Sequence, residues 1–143
     1  MRLWLVLLAC AAALAAAPAA STAPTPAEQT LLAAINDARV AHGRSPVRFG
    51  TAIQTGAHRW AGYLLAHDLF LHAQLLPGSS ENLAWLTCRA GWARRVVNMW
   101  LGSPGHRANL LDGSARRAGI GVVRGPWTTF PCVRMAVARF RGA

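Results

Sequence analysis

The chain is predicted to be an α+β domain in which an antiparallel sheet packs against helices. Three observations carry that prediction. Apolar residues recur at helical spacing over the first half, as Leu31, Leu32, Ile35 and Ala38 and again as Ile53, Ala57, Trp60, Ala61 and Leu64. Period-2 alternation is confined to the end, where Val133, Met135 and Val137 alternate with Arg134, Ala136 and Ala138. The composition is that of a globular chain. With 53% apolar and 14% charged residues, the 143 residues are neither disordered nor low-complexity, and they suit one domain better than two.

Residues 1–20 read as a secretory signal. Arg2 is a minimal basic start, Leu3 to Ala17 is apolar throughout, and Ala17-Pro18-Ala19 fits a small-residue cleavage site with Ala20 as a neighbouring option. The run is short and Ala-rich for a membrane span, which needs roughly 20 strongly apolar residues. The alternatives are a retained N-terminal anchor, or acylation at Cys10 after Leu7-Leu8-Ala9. Export places the protein outside the cytoplasm, secreted or periplasmic, with no transmembrane span in the mature chain. Residues 21–26 form a Pro/Thr/Ser linker, and residues 27–143 form the domain.

The first helix is predicted to start at Thr25-Pro26-Ala27-Glu28, a capping box with proline in the first turn, and to stop at Gly43 before Ser45-Pro46. Val47-Arg48-Phe49 is a short extended piece. A second helix follows over about Thr51–His67, in which Gly56 and Gly62 either weaken it or admit a close neighbour. Asp68–Ser80 is a loop turning at Pro77-Gly78, and Glu81–Trp85 a short strand. A third helix covers about Ala90–Leu101, with Ala93, Val96, Val97 and Trp100 inward. Ser103-Pro104 acts as an N-cap for a short turn over Gly105–Leu111. Gly119–Val123 is strand-like, Gly125-Pro126 opens a loop, and the last strand ends near Phe140.

All 15 basic residues are arginine, opposed by Glu28, Asp37, Asp68, Glu81 and Asp112, for a formal charge of +10. Five acids are too few for a carboxylate cage around Mg²⁺ or Ca²⁺. Export also argues against nucleic acid as the main partner. Loss of the leader would leave two cysteines, Cys88 and Cys132. In an oxidising compartment these are predicted to pair, the alternative being two buried thiols. The bridge would stabilise by roughly 4 kcal/mol on the chain-entropy model.

An ordered series of motifs resembles the CAP superfamily, also called SCP-like, the cysteine-rich secretory and pathogenesis-related proteins with many bacterial members. Asn36-Asp37-Ala38-Arg39 with Gly43 resembles its first-helix motif, Phe70-Leu71-His72 its F-x-H, and Glu81-Asn82-Leu83-Ala84 its G-E-N-[IL]-A with Ser80 replacing glycine. Met99 to Leu111, with SPGHRANLL, is close to the bacterial form, and Gly119-Ile120-Gly121 follows in order. The resemblance covers residues 27–140. It implies a three-layer α/β/α sandwich with a small antiparallel sheet. It also implies a cleft in which His72, His106 and Glu81 meet, the histidines holding Zn²⁺ or another divalent metal. The family's second cleft glutamate corresponds to Ser103, so that member is missing.

Two functions from different classes follow. One is a non-catalytic extracellular binding module with a His-lined, metal-binding cleft, whose partner is lipid or an anionic envelope component. The other is a metal-assisted hydrolase of envelope or extracellular peptides, with Glu81 as general base. Leu101-Gly102-Ser103-Pro104-Gly105 is not G-x-S-x-G, so Ser103 is read as a cap and not as a nucleophile. His42, His58 and His67 read as helix-surface or helix-end residues. Arg94-Arg95 and Arg116-Arg117 with Trp92, Trp100 and Trp127 could line an Arg/Trp surface for anionic lipid or polysaccharide, against the plainer reading of arginine-rich coding bias.

Overall fold

The computed structural model describes residues 23–142; the leader over 1–20, its cleavage options and Cys10 lie outside the described residues. No helix among the described residues is long and apolar enough to cross a membrane. Helix α1 (Pro26–Ala41) starts where the capping box predicts. The Thr25 hydroxyl accepts the Glu28 N–H at 3.3 Å, and the Glu28 carboxylate accepts the Thr25 N–H at 2.8 Å. Gly43 ends the helix at φ +69°, a conformation that glycine adopts without penalty.

Strand β1 (Arg48–Phe49) leads into α2 (Thr51–Ala66), and β2 (Ser79–Thr87) follows the loop. Then come α3 (Trp92–Leu101), α4 (Pro104–Leu110), β3 (Arg117–Trp127) and β4 (Phe130–Arg141). The sheet order is β1-β3-β4-β2. β3, β4 and β2 pair antiparallel as expected, but β1 joins β3 in parallel, so the sheet is mixed. Pro126 is another departure: β3 runs through it to Trp127. The register shifts between Gly125 and Trp127, so the residue lacking an N–H is skipped by the ladder.

Because β1 is two residues long, the outer edge of β3 would be open beyond it. Side chains close that edge. The Gln54 amide donates to the Ile120 carbonyl and accepts the Ile120 N–H, both at 2.8 Å, as a strand would. Glu28 Oε1 accepts the Val122 N–H at 3.4 Å. These contacts satisfy backbone groups that would otherwise be orphaned and protect an exposed edge.

Both faces of the sheet are covered. On one, α2 packs Ala57, Ala61 and Leu64 against Leu83, Val133, Met135 and Val137. On the other, α1, α3 and α4 pack Leu31, Ile35, Val96, Trp100 and Leu110 against Ala84, Ile120, Ala136, Ala138 and Phe140. This makes three layers. The period-2 pattern of β4 therefore separates two buried faces, not an inner from an outer one. The Cys88–Cys132 disulfide is formed and joins the end of β2 to β4.

Candidate functional site

The site is built on β2, an edge strand, where consecutive residues point to opposite faces. Glu81 points to the α2 side. Its Oε1 accepts His72 Nδ1–H at 2.9 Å and the Ala73 N–H at 3.0 Å, and its Oε2 accepts Arg139 Nε–H at 2.8 Å. A carboxylate only accepts, so Nδ1 of His72 is the nitrogen that carries a proton, and Nε2 is the ring nitrogen left without a carboxylate partner. Arg139 is the cross-strand partner of Glu81 on β4, and this pairing compensates a carboxylate that is 1% exposed.

Asn82 points the other way. Its amide donates to the His106 carbonyl at 2.8 Å, and its Oδ1 accepts from Asn109 Nδ2 at 3.0 Å. The Trp100 indole donates to the Leu83 carbonyl at 2.9 Å. The two sequence motifs are thus two halves of one joint: Asn82 and Leu83 of β2 fix α3 and α4, which places His106 beside the loop that carries His72. The imidazole centroids are 6.5 Å apart, inclined at 46°. His72, Glu81 and His106 therefore converge, although they lie on a loop, a strand and a helix.

Burial lowers the pKa of His106 below the usual histidine value, and the nearby His72 lowers it further. The ring is therefore held neutral at pH 7. A depressed histidine pKa contributes stability that is present above the unfolded value, about 6.5, and lost as pH falls through the folded one. Stability is accordingly expected to decline as pH falls below about 6.5, and His106→Gln should flatten that part of the profile. Chemical denaturation of both proteins across pH 5–8 checks this; parallel profiles would refute it.

Two donors remain for a metal. Both oxygens of Glu81 are occupied by three donors, so it stands behind His72 as an orienting group and not beside it as a ligand. Among the described residues no group of three or more His, Cys, Asp or Glu side chains is arranged to hold an ion. Two imidazoles on one tetrahedral ion have centroids about 5 Å apart, so these rings must close by about 1 Å. The His72 side chain is 57% exposed and is held at Nδ1 by Glu81. The two imidazoles are the donors this chain offers here, and any further ligands would have to come from water.

Other expectations resolve differently. Ser103 occupies the N-cap position of α4, but its side chain makes no capping hydrogen bond. Trp92, Trp100 and Trp127 are buried, so the expected Arg/Trp surface does not form; Arg134 over Trp92 at 5.1 Å is the cation–π contact among the described residues. His58 lies on the helix surface, yet its Nδ1 is 2.6 Å from buried Glu28, which also accepts from Gln54 at 3.1 Å. Gln54 and His58 sit one turn apart on α2, a spacing that alone does not reveal a partner on α1. The role of Arg139 was also hidden, because its acid lies on a strand distant in sequence.

Residues 32–137 match the family described as CAP, the Cysteine-rich secretory protein family. The chain belongs to this family. No curated protein sequence matches it. Among solved structures, this CAP domain is similar to an outer surface protein from Borrelia burgdorferi (TM-score 0.58, 20% identity, 79% of this chain and 91% of that one). It is also similar to an extracellular protein containing a SCP domain from Bacillus anthracis (TM-score 0.62, 18% identity, 86% of this chain and 45% of that one). A third is a cysteine-rich secretory protein from Staphylococcus aureus (TM-score 0.52, 14% identity, 81% of this chain and 38% of that one). The chain thus spans less than half of the last two. At these identities the likeness is one of fold.

Proposed function

We propose that this CAP domain is an exported, non-catalytic binding module whose cleft takes up a divalent cation on His72 and His106. The signal-like leader supports export. The observation that carries the cation reading is the orientation of the pair: Glu81 accepts from His72 Nδ1, so Nε2 is the nitrogen open to a ligand, and the His106 ring, whose pKa burial lowers, lies 6.5 Å away between centroids. The same carboxylate weighs against hydrolysis, since with both oxygens occupied by three donors Glu81 is poorly placed to take a proton from water.

Calorimetric titration with Zn²⁺ tests the reading. One site is expected, lost in both His72→Ala and His106→Ala. Glu81→Gln should retain the site with affinity weakened about 10-fold or more, as loss of an outer-shell partner does. Unchanged binding in both histidine variants would sink the cation reading.

A further inference from the structure

Across the sheet, Arg48, Arg117, Arg141 and Ser79 stand in one transverse row. Arg48 pairs with Arg117, Arg117 with Arg141, and Arg141 with Ser79. Paired residues share a face, so three arginines are neighbours on three consecutive strands spaced about 5 Å apart. All three are exposed. Among the described residues, Arg139 is the arginine ion-paired with an acid, and none of these three guanidinium groups has a partner.

The helix above explains why the row is open. On the same face the next row contains Gly119, Arg139 and Glu81. It is roofed by α2: a Cβ on Gly119 would meet the Ile53 carbonyl, and one on Gly56 would meet the Arg139 guanidinium. Since α2 begins at Thr51, its cover stops short of the arginine row. The acids are placed elsewhere. Glu28 and Glu81 are buried, Asp68 holds the Thr128 N–H, Asp112 holds Ser114, and Asp37 lies on α1. Like charges directly opposite each other destabilise a sheet. Two consecutive Arg–Arg pairs with no acid among them leave a repulsion that an external anion would relieve.

We infer that Arg48, Arg117 and Arg141 form a docking ledge for a phosphate-bearing polymer. Guanidinium forks match phosphate oxygens bidentately. Each exposed contact is weak and screened, so useful affinity needs anions repeated along a chain and not a single ion. A bilayer fits less well because apolar anchors are sparse here. Leu76, whose carbonyl accepts the Ser79 N–H, is the exposed large apolar residue tied to the row, whereas Phe70 and Phe130 pack against Trp127 and Trp85 further along the sheet. The ledge lies two residues along the strands from the Glu81–Arg139 pair, so a bound polymer would pass beside the histidine cleft. The inference stands independently of the cation reading.

The test is binding of linear inorganic polyphosphate by fluorescence anisotropy across a salt series. The triple variant R48Q/R117Q/R141Q should lose about 10-fold or more in affinity and show a shallower salt dependence. A control with the same charge loss on exposed helical positions, R59Q/R94Q/R95Q, should lose less than about 3-fold. Equal losses would mean that net charge alone binds and would overturn the ledge. So would orthophosphate competing as well as polymer at equal phosphate concentration, or phosphatidylglycerol vesicles binding where polyphosphate does not. R117E guards against a folding artefact. By placing a carboxylate between two arginines it should raise Tm while abolishing polyphosphate binding; retained binding in folded R117E overturns the proposal.

Discussion

Gly121→Ala is expected to destabilise the domain by on the order of 4–5 kcal/mol, which would leave a marginally stable protein largely unfolded. A Cβ at Gly121 would lie 2.1 Å from the Ala57 carbonyl oxygen and 2.6 Å from its carbon. Both belong to the backbone of α2, so no side chain can rotate away. Gly119 makes the same approach to the Ile53 carbonyl at 2.3 Å. The two glycines let a helix backbone rest directly on β3, and relief would require α2 to lift off Met135, Val137 and the rest of its core. Thermal unfolding should show Tm lowered by about 15 °C or more. Gly62 in α2 gives the opposite expectation. Nothing lies within 4 Å of its added Cβ, so Gly62→Ala should stabilise by about 0.5–1 kcal/mol through helix propensity. A Gly121→Ala protein as stable as wild type would contradict the close packing of α2 on β3.

Arg39→Met is expected to cost on the order of 4 kcal/mol. The Arg39 side chain is fully buried and donates to the carbonyls of Ser45 at 2.9 Å, Leu110 at 2.7 Å and Asp112 at 3.1 Å. Burial lowers its pKa, and Asp112 partly offsets that. One guanidinium thus joins the end of α1, the loop before β1 and the end of α4. Methionine fills similar space but leaves three acceptors without a charged donor. Arg39→Lys should recover less than half of the loss, because a single ammonium cannot reproduce the planar fork. Urea denaturation with an unchanged m-value checks both variants, and a cost below about 1 kcal/mol for Arg39→Met would show that water replaces the fork. Neighbouring Asn36 acts alongside it by pairing its amide with the Val47 N–H and C=O, both at 2.9 Å.

Much of the fold was legible because its signals are local. Thr25-Pro26-Ala27-Glu28 carries a capping mechanism within four residues, and the start of α1 coincides with it. The spacing of Ile53, Ala57, Trp60, Ala61 and Leu64 marks one face of α2, and three of the five are fully buried while Ile53 and Trp60 are partly so. Where physics is non-local the reading fell short. The parallel β1–β3 pairing depends on where α2 sits, and Pro126 is tolerated only because the register shifts there. Gly56 and Gly62 look alike in sequence, yet one faces a guanidinium and the other faces nothing.

The amino-acid sequence by itself determined the helices, most strands and the cysteine pair, and its likeness to a family singled out His72, Glu81 and His106. Capping, hydrophobic period and motif order act over short stretches of chain or travel intact within a family. Only the tertiary structure decided what those side chains do: that Glu81 is consumed by His72, Ala73 and Arg139, that three tryptophans are buried, and that three arginines align in one open row. Hydrogen-bond saturation and cross-strand register join residues tens of positions apart, and no spacing along the chain encodes such neighbours until the sheet has formed.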